Sequence, residues 1–232
     1  MMPWFLWKGI DSRDMGIWIS ELPQPTKAAE RTKDVNVLGK AGTLTIREGE
    51  NVHEGYAKNC KITAPWNADF AALLTWLSGD GEVVFSNEPD RVYHAHLASR
   101  IEFYRQGNSL KTATIPFFVH PHKGQYPPEV AFAATSGADI WNPGTVTALP
   151  LITVTGSGTV AFTLNGEAAM SLTLGANGET VVIDSDAEII TSGGSIWLGE
   201  YTTDFLKLPP GTNTLSWAGT ATVTIQPRWR WF

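Results

Sequence analysis

Cysteine is almost absent from this sequence, and its absence limits how the fold can be stabilised. Cys60 is the only cysteine among 232 residues, so no disulfide can form within the chain. Such a chain suits a reducing compartment. Because 43% of the residues are hydrophobic and 17% are charged, there is enough apolar material for packed cores and too little charge for a disordered chain.

Positive charge is also scarce. Residues 1–131 hold 14 Lys and Arg against 15 Asp and Glu, whereas residues 132–232 hold 3 against 8. Neither half offers the basic patch that binding to phosphate requires, so we expect no specific nucleic-acid binding and no attraction to anionic membranes. No apolar run approaches a membrane span, and the apolar start precedes its lysine, the reverse of a signal peptide. These features predict that the chain does not insert into a membrane. They also predict that it folds in a cytoplasm.

Sequence motifs of the common enzyme classes are missing. There is no G-x-S-x-G, H-E-x-x-H or Walker sequence. The pairs His94-x-His96 and His120-x-His122 have a spacing that places both rings on one face of a strand. Nothing in the sequence marks the further ligands that a zinc site needs. We therefore expect no bound metal and no other cofactor.

One short acidic stretch is the only basis for an enzymatic hypothesis. Asp184, Asp186 and Glu188 alternate, but Ile189 stands where a calcium loop of the EF-hand kind needs glycine. Paired carboxylates of a glycosidase must meet across a cleft, which the spacing alone does not indicate. The pattern favours a solvated strand edge, and we expect a protein that is not an enzyme.

Strand signals are abundant in the first half, and one helix interrupts them. Short β-branched or aromatic runs occur at 44–46, 83–85, 101–104 and 112–119. Around residues 67–78 the apolar residues take helical spacing: Phe70, Leu73, Leu74 and Leu77. We predict a helix capped by Asn67 and followed by a left-handed Gly79.

The composition changes near Pro127-Pro128, and the sequence predicts two domains, 1–131 and 132–232. The second half is rich in Gly, Thr, Ser and Ala, with strands expected every 8–12 residues or less. Gly156-Ser-Gly158 is typical of a tight hairpin. Further turns and strands are expected at Asn165-Gly166, Asn177-Gly178, Pro209-Pro-Gly211, 205–208, 214–217 and 221–226. The rhythm predicts a β-sandwich.

Ten tryptophans are present, and two of them admit a binding role. Trp197 and Trp217 lie in strand-like runs of the second domain, where exposed aromatic rings could stack on sugars. A large amphipathic side chain also fills a sandwich core or a subunit contact. The aliphatic neighbours of both residues favour the core, and glycan contact stays the alternative.

Several segments share an order of turns and strands. The start, residues 5–17, has a strand, a Gly-Ile-Asp turn, then Asp-Met-Gly and a second strand; Ala29-Glu-Arg31 precedes a glycine-containing turn and strand at 37–46. The second half contains Asn142-Pro-Gly144, residues 150–158 and residues 208–213. These segments resemble the distal tail proteins of long-tailed phages, and the last three resemble the second domain of that family. The resemblance covers most of the chain, and the order and spacing of these segments carry it.

The resemblance implies an N-terminal β-sandwich with one helix and a C-terminal galectin-like β-sandwich. It also implies a homo-hexameric ring in the virion tail, assembled in the bacterial cytoplasm, that joins the tail tube to the baseplate or receptor-binding apparatus. The implied partners are the tail tube protein, the tape-measure protein, the tail-tip hub and receptor-binding proteins. A carbohydrate-binding module for host-surface glycans is the alternative function.

A ring of identical subunits needs patches that meet head to tail and close by rotation. The stretch 39–55, with its glycines and mixed charges, is typical of an exposed loop or hairpin. We therefore expect the contact between copies to involve Gly39, Lys40, Gly42, Arg47, Glu48 and Glu50.

Overall fold

The computed structural model describes residues 2–49, 52–202 and 204–232. Strands dominate it, and the described part contains one short helix, so the mostly-β prediction is confirmed. The chain divides into two compact units. The first unit ends at Pro127 and includes the final residue, Phe232, and the second unit is Pro128–Trp231. The sequence pattern placed this division between residues 131 and 132.

The first unit contains eleven described strands and the helix. The strands are β1 (Phe5–Trp7), β2 (Ile10–Asp11), β3 (Trp18–Glu21), β4 (Thr32–Asn36), β5 (Thr43–Arg47), β6 (Tyr56–Pro65), β7 (Gly79–Phe85), β8 (Arg91–Leu97), β9 (Tyr104–Gln106), β10 (Leu110–Val119) and β11 (Gly124–Gln125). The helix α1 is Phe70–Trp76. Nine strands form one sheet in the order β2-β1-β7-β8-β10-β6-β3, with β11 paired to β8 and β9 to β10. The strands β4 and β5 form a sheet of their own.

Aromatic side chains fasten the helix to this sheet. Phe5 stacks on Trp76 with ring centroids 5.5 Å apart. The indole N–H of Trp7 donates to the carbonyl of Trp76 (2.9 Å), and the indole N–H of Trp76 donates to the carbonyl of Trp7 (3.2 Å). These reciprocal bonds satisfy both buried indoles, and they fix which face of the helix meets the core.

The helix begins and turns differently from the sequence prediction. Its N-cap is Asp69, whose carboxylate accepts from the N–H of Ala72 (3.0 Å), so the predicted cap at Asn67 is wrong. Leu74 is exposed and Trp76 is buried, because the bonds to Trp7 turn the tryptophan inward. Gly79 takes the predicted left-handed conformation, with φ of +71°. Among the described residues, no helix has the length and hydropathy to span a membrane.

The second unit is built on three long strands. Its strands are β12 (Phe132–Ala134), β13 (Ala138–Asn142), β14 (Leu151–Leu164), β15 (Glu167–Asp184), β16 (Ile189–Ser192), β17 (Ser195–Ile196) and β18 (Gly211–Gln226). They form one sheet in the order β12-β18-β14-β15-β16-β17, with β13 paired to β18. Alternate residues of the long strands point to one core: Ile152, Val154, Val160, Phe162, Met170, Leu172, Leu174, Val181, Ile183, Leu215, Val223 and Ile225.

Several segments of this unit that the sequence predicts as turns lie inside continuous strands. Gly156-Ser-Gly158 is a register shift inside the continuous strand β14, so the predicted hairpin there is wrong. The predicted strands 214–217 and 221–226 are one strand, β18, and Asn177-Gly178 lies within β15. The turn at Asn165-Gly166 is confirmed, since both residues have positive φ (+55° and +86°), as a type I′ hairpin requires.

Two further strand predictions fail for want of a pairing partner. Of the stretch 101–104, only Tyr104 lies in a strand, at the start of β9. The stretch 205–208 forms no strand and has a single bridge, between Leu208 and Ala148. In both stretches, β-branched or aromatic composition reflects packing against a core, which composition alone does not distinguish from strand pairing.

Candidate functional site

The clearest candidate surface is a two-stranded ribbon, residues 32–47, that stands apart from the large sheet of its unit. β4 pairs with β5 in antiparallel register and with no other described strand. At the tip, the N–H of Lys40 donates to the carbonyl of Val37 (3.1 Å). Gly39 and Gly42 hold the tip turn with φ of +81° and +84°, a region that other residues adopt only with strain.

The ribbon has one apolar and one polar face, because residues directly opposite each other in an antiparallel pair share a face. Val35 lies opposite Leu44, and Lys33 lies opposite Ile46. The other face carries only polar side chains: Thr32, Asp34, Asn36, Thr43, Thr45 and Arg47. This alternation is typical of a sheet that packs on one side and meets water on the other.

The apolar face and the tip are open to solvent. Leu44 is 45% exposed and Ile46 is 46% exposed, while Leu38 at the tip is fully exposed. An isolated two-stranded hairpin is at best marginally stable in water, because it buries little apolar surface. Adjacent exposed apolar side chains mark interaction sites on soluble proteins. The ribbon therefore has the form of an element that a second molecule completes.

Backbone hydrogen bonds join the two chain segments at the base of the ribbon. The N–H of Arg31 donates to the carbonyl of Val52 (3.0 Å), and the N–H of Glu54 donates to the carbonyl of Ala29 (2.9 Å). Arg47 pairs with Glu30 (3.3 Å between charged atoms) on the surface. Exposed ion pairs of this kind contribute about 0–1 kcal/mol, so the backbone bonds do most to hold the base.

The structure separates the six residues that the sequence assigned to a contact between copies. Gly39, Lys40 and Gly42 lie in the tip turn. Arg47 and Glu48 lie at the base and form ion pairs within the ribbon stem, with Glu30 and Arg31 respectively. Glu50 lies outside the described residues.

Sequence reasoning missed the apolar members of this surface: Val35, Val37, Leu38, Leu44 and Ile46. A signal for them was present in Leu44-Thr45-Ile46, whose alternation places both aliphatic side chains on one face. The six residues predicted for the contact between copies are glycines and charged residues, whereas the exposed surface of the ribbon consists of aliphatic side chains.

A second feature that the sequence did not reveal is a buried charge cluster in the first unit. The Lys58 side chain is 1% exposed, and its ammonium donates to the carbonyl of Gln24 (3.0 Å) and lies 3.5 Å from a Glu88 oxygen. Glu88 also accepts from the ammonium of Lys123 (2.6 Å) and from the hydroxyl of Tyr93 (2.5 Å). One carboxylate thus serves two ammonium groups and one phenol.

Burial and hydrogen bonding together shift the pKa values of this cluster. Burial lowers the pKa of Lys58, and the charge of Glu88 opposes that shift only in part. Burial pushes the pKa of Glu88 upward, but hydrogen bonds from Lys123 and Tyr93 outweigh it and leave that pKa below its ordinary value. Burial also raises the pKa of Tyr56 to about 12. Because Lys58 is sealed from solvent, the cluster fits a structural role and no solvent-borne substrate reaches its amine.

The histidine pairs do not assemble a metal centre. The rings of His94 and His120 lie 6.2 Å apart between centroids, and Nε2 of His122 lies 3.3 Å from Nδ1 of His53. Glu82 is 3.7 Å from His94. In the described part of the chain, no group of three or more His, Cys, Asp or Glu side chains could hold a metal ion.

The acidic stretch of the second unit is engaged by arginines. Both carboxylate oxygens of Asp184 accept from Arg228, at 2.8 and 3.1 Å, and Asp186 pairs with Arg230. The hydrogen bonds to Asp184 lower its pKa, although burial acts in the opposite direction. These carboxylates fasten the end of the chain within its own unit and do not face each other across a cleft.

The two tryptophans proposed for glycan contact belong to the core of the second unit. Trp197 is 8% exposed, and its indole N–H donates to Glu179 (2.8 Å). Trp217 is half-buried, packs on Phe162 at 6.1 Å and donates to the carbonyl of Ala221 (3.3 Å). Stacking on a sugar needs an open ring face, so the structure gives this expectation no support at Trp197 and little at Trp217.

Comparisons with solved structures include a likeness that covers the whole chain. No family model matches the sequence, and no curated protein matches it. The fold is similar to the crystal structure of the Dit protein (gp 19.1) of SPP1, with a TM-score of 0.76, 15% sequence identity and coverage of 100% of both chains. That protein is described as a paradigm of the hub adsorption apparatus in phages that infect Gram-positive bacteria. At this identity the likeness establishes a shared fold.

Proposed function

We propose that this chain is a structural protein of a bacteriophage tail tip, and that its first unit associates with sister copies into a closed ring of six. The observation that carries the proposal is the ribbon of residues 32–47, whose apolar face and tip lie uncovered on its unit. The similarity in fold to a phage hub protein over the full length of both chains supports it.

The asymmetry of the ribbon favours a ring over a two-fold dimer. A protruding element that docks on a different surface of the next copy makes a head-to-tail contact, and repeated contacts of this kind close when the rotation between copies permits. The ribbon is amphipathic, and its two strands form a sheet separate from the large sheet of the unit. We assign it as the donor element of that contact.

The charge distribution suits a conduit for nucleic acid. The first half of the chain is close to neutral and the second half is acidic. Binding to DNA depends on basic residues that neutralise phosphates, so a ring without a basic patch lets DNA pass and does not retain it. In this proposal the ring lies in the virion tail, is assembled in the host cytoplasm, and joins the tail tube to the hub and receptor-binding proteins, in contact with the tape-measure protein.

The proposal assigns the chain a role in assembly and gives it no catalytic step. The alternative, a carbohydrate-binding module, rests on Trp197 and Trp217, and both indole N–H groups are engaged within their own unit. The uncovered aliphatic face of the ribbon suits protein contact, because recognition of sugars uses aromatic faces with polar groups beside them.

Sedimentation of the purified full chain over a range of concentrations tests the proposal. One chain has a mass of 25.3 kDa, so a ring of six has a mass of about 152 kDa. We expect the larger species to grow with concentration and no species to exceed the closed ring. A chain that remains at 25.3 kDa at every concentration, even with tail tube protein added, would contradict the proposal.

A further inference from the structure

The first unit carries a concave apolar surface at the edge of its large sheet. β3 is the last strand in that sheet, and a cavity of about 300 Å³ opens beside it. We call it the edge pocket, and it is lined by Met2, Pro3, Arg13, Gly16, Ile17, Trp18 and Ile19. Trp18 is 45% exposed and Met2 is 63% exposed, so apolar surface faces solvent here as well.

The polar member of the edge pocket is held in place by its neighbours. Arg13 forms hydrogen bonds with both oxygens of Asp11, and its guanidinium lies 5.6 Å from the ring centroid of Trp4. The bond from Arg13 lowers the pKa of Asp11. Among the described lining residues Arg13 alone is charged, and its guanidinium is already paired with Asp11. Asp14 and Glu21 lie close to the lining residues in sequence.

The ribbon tip and the edge pocket both present apolar side chains to solvent. The ribbon tip presents Leu38, fully exposed, beside Val37, which is 41% exposed. A single leucine side chain is smaller than the pocket, so Leu38 can enter while Val37 covers part of the rim. The best-packed interfaces place such an apolar anchor in a desolvated pocket.

The two surfaces are also complementary in charge. Residues 32–47 hold Lys33, Lys40 and Arg47 against Asp34, a net charge of +2. Residues 10–21, which contain most of the pocket lining, hold Asp11, Asp14 and Glu21 against Arg13, a net charge of −2. Lys40 and Asp14 are exposed, and within the described residues neither side chain takes part in an ion pair. Opposite charges on two surfaces steer their encounter and fix the register.

We infer that the edge pocket of one copy receives the ribbon tip of the next, with Leu38 in the pocket and Lys40 beside Asp14. This inference rests on the proposed function and names the acceptor surface for its ring contact. The donor and acceptor surfaces are different parts of one chain, so each copy gives one contact and takes one, as closure requires.

Mixing two damaged chains tests this pairing. Leu38→Asp damages the donor and leaves the pocket intact, whereas Trp18→Lys damages the pocket and leaves the donor intact. Each variant alone should remain monomeric at concentrations where the wild-type chain assembles. An equimolar mixture retains one intact contact per pair, so it should form a dimer and nothing larger, as measured by native mass spectrometry.

A charge exchange supplies a second and independent test. Lys40→Glu alone and Asp14→Lys alone each place like charges together and should weaken assembly at least tenfold. The chain with both changes restores an attractive pair at every contact and should recover most of the lost affinity. Leu198→Asp is the control, because Leu198 is 93% exposed in the second unit and lies on neither surface. It should assemble as the wild-type chain does.

The outcomes separate this inference from the proposed function. If wild-type chains assemble while the mixture gives only monomers and the charge exchange restores nothing, the edge pocket is not the acceptor, and the ring proposal stands without it. If the wild-type chain never assembles, the proposed function fails. Circular dichroism and melting temperatures show whether each variant folds. Because Leu38, Trp18, Lys40 and Asp14 are exposed, we expect all variants to fold as the wild-type chain does.

Discussion

At the scale of single residues, the cluster around Glu88 has an unequal number of charges. One carboxylate faces two ammonium groups, on Lys58 and Lys123, at 3.5 and 2.6 Å. Removing one member of a buried pair leaves the other charge in a poorly solvated place, which is more costly than removing both. Glu88 is therefore the member whose loss the fold tolerates least.

Glu88→Gln should lower the free energy of unfolding by about 3–5 kcal/mol, because it leaves the buried ammonium of Lys58 without its counter-charge. Chemical denaturation at pH 7 measures the change. Glu167→Gln is the matched control, since Glu167 is exposed in the hairpin that joins β14 to β15. The control should change stability by less than about 0.5 kcal/mol. If both substitutions lowered the free energy of unfolding equally, the buried cluster would contribute no more to stability than an exposed carboxylate.

The same cluster predicts a dependence of stability on pH. The pKa of Glu88 in the folded chain lies below its ordinary value. Its contribution is therefore fully present above the unfolded pKa of about 4.3 and is lost as the pH falls through the folded pKa. Denaturation between pH 7 and pH 3 should show a smaller loss of stability in Glu88→Gln than in the wild-type chain. Parallel curves for the two proteins would contradict this.

The sequence indicates one member of this cluster but not its partners. Lys58 shares the alternation of Cys60, Ile62 and Ala64, all of which are buried in β6, so its inward direction could have been inferred. Glu88 lies in the turn between β7 and β8, and Lys123 lies directly before β11, far along the chain. Only the folding of the sheet brings them to Lys58, and no local pattern encodes that meeting.

At the scale of elements, neighbouring residues of the ribbon place their side chains on opposite faces. Leu44→Lys places a charge on the apolar face and should weaken self-association at least tenfold, about 1.4 kcal/mol. Thr45→Lys adds the same charge to the polar face and is the matched control. The melting temperature of the monomer should be unchanged in both, because the ribbon lies outside the core. Sedimentation equilibrium compares them, and equal weakening would contradict the assignment of faces.

The register shift of β14 begins at Gly156, where the neighbouring strand leaves no room for a larger side chain. A Cβ at Gly156 would lie 2.3 Å from the carbonyl oxygen of Thr220 on the neighbouring strand, so the backbone must shift. Gly156→Ala should reduce stability by about 1–3 kcal/mol, measured by thermal or chemical unfolding. Gly175→Ala in β15 is the control: its Cβ would meet only Glu179, at 3.7 Å. If Gly175→Ala were the more destabilising of the two, close strand approach would not explain Gly156.

Element type was easier to predict than element continuity. The helical spacing around Phe70 and the hairpin at Asn165-Gly166 depend on local chemistry, and both appear in the structure. Gly156-Ser-Gly158 also has the composition of a hairpin, but β14 continues through it between β15 and β18. Pairing on both sides keeps the strand extended and converts the glycines into a register shift, which one segment of sequence does not encode.

At the scale of the whole molecule, composition predicted two β-rich domains and no basic patch, and the chain divides into two compact units. The likeness in fold to a phage hub protein, at 15% identity over both chains, agrees with a resemblance that rested on the order of turns and strands. The surfaces that we assign to contacts between copies did not follow from the sequence, because their residues are ordinary aliphatic side chains. Their exposure becomes visible only when the sheet order leaves β4 and β5 on their own.

We propose that sister copies complete the uncovered ribbon and close into a ring. Negative-stain electron microscopy of the purified chain, at a concentration where sedimentation detects assembly, shows whether such rings form. We expect annular particles with six-fold symmetry in wild-type samples and their disappearance in Leu44→Lys. Two-fold dimers or open filaments in the wild-type images, or intact annuli in the variant, would contradict it.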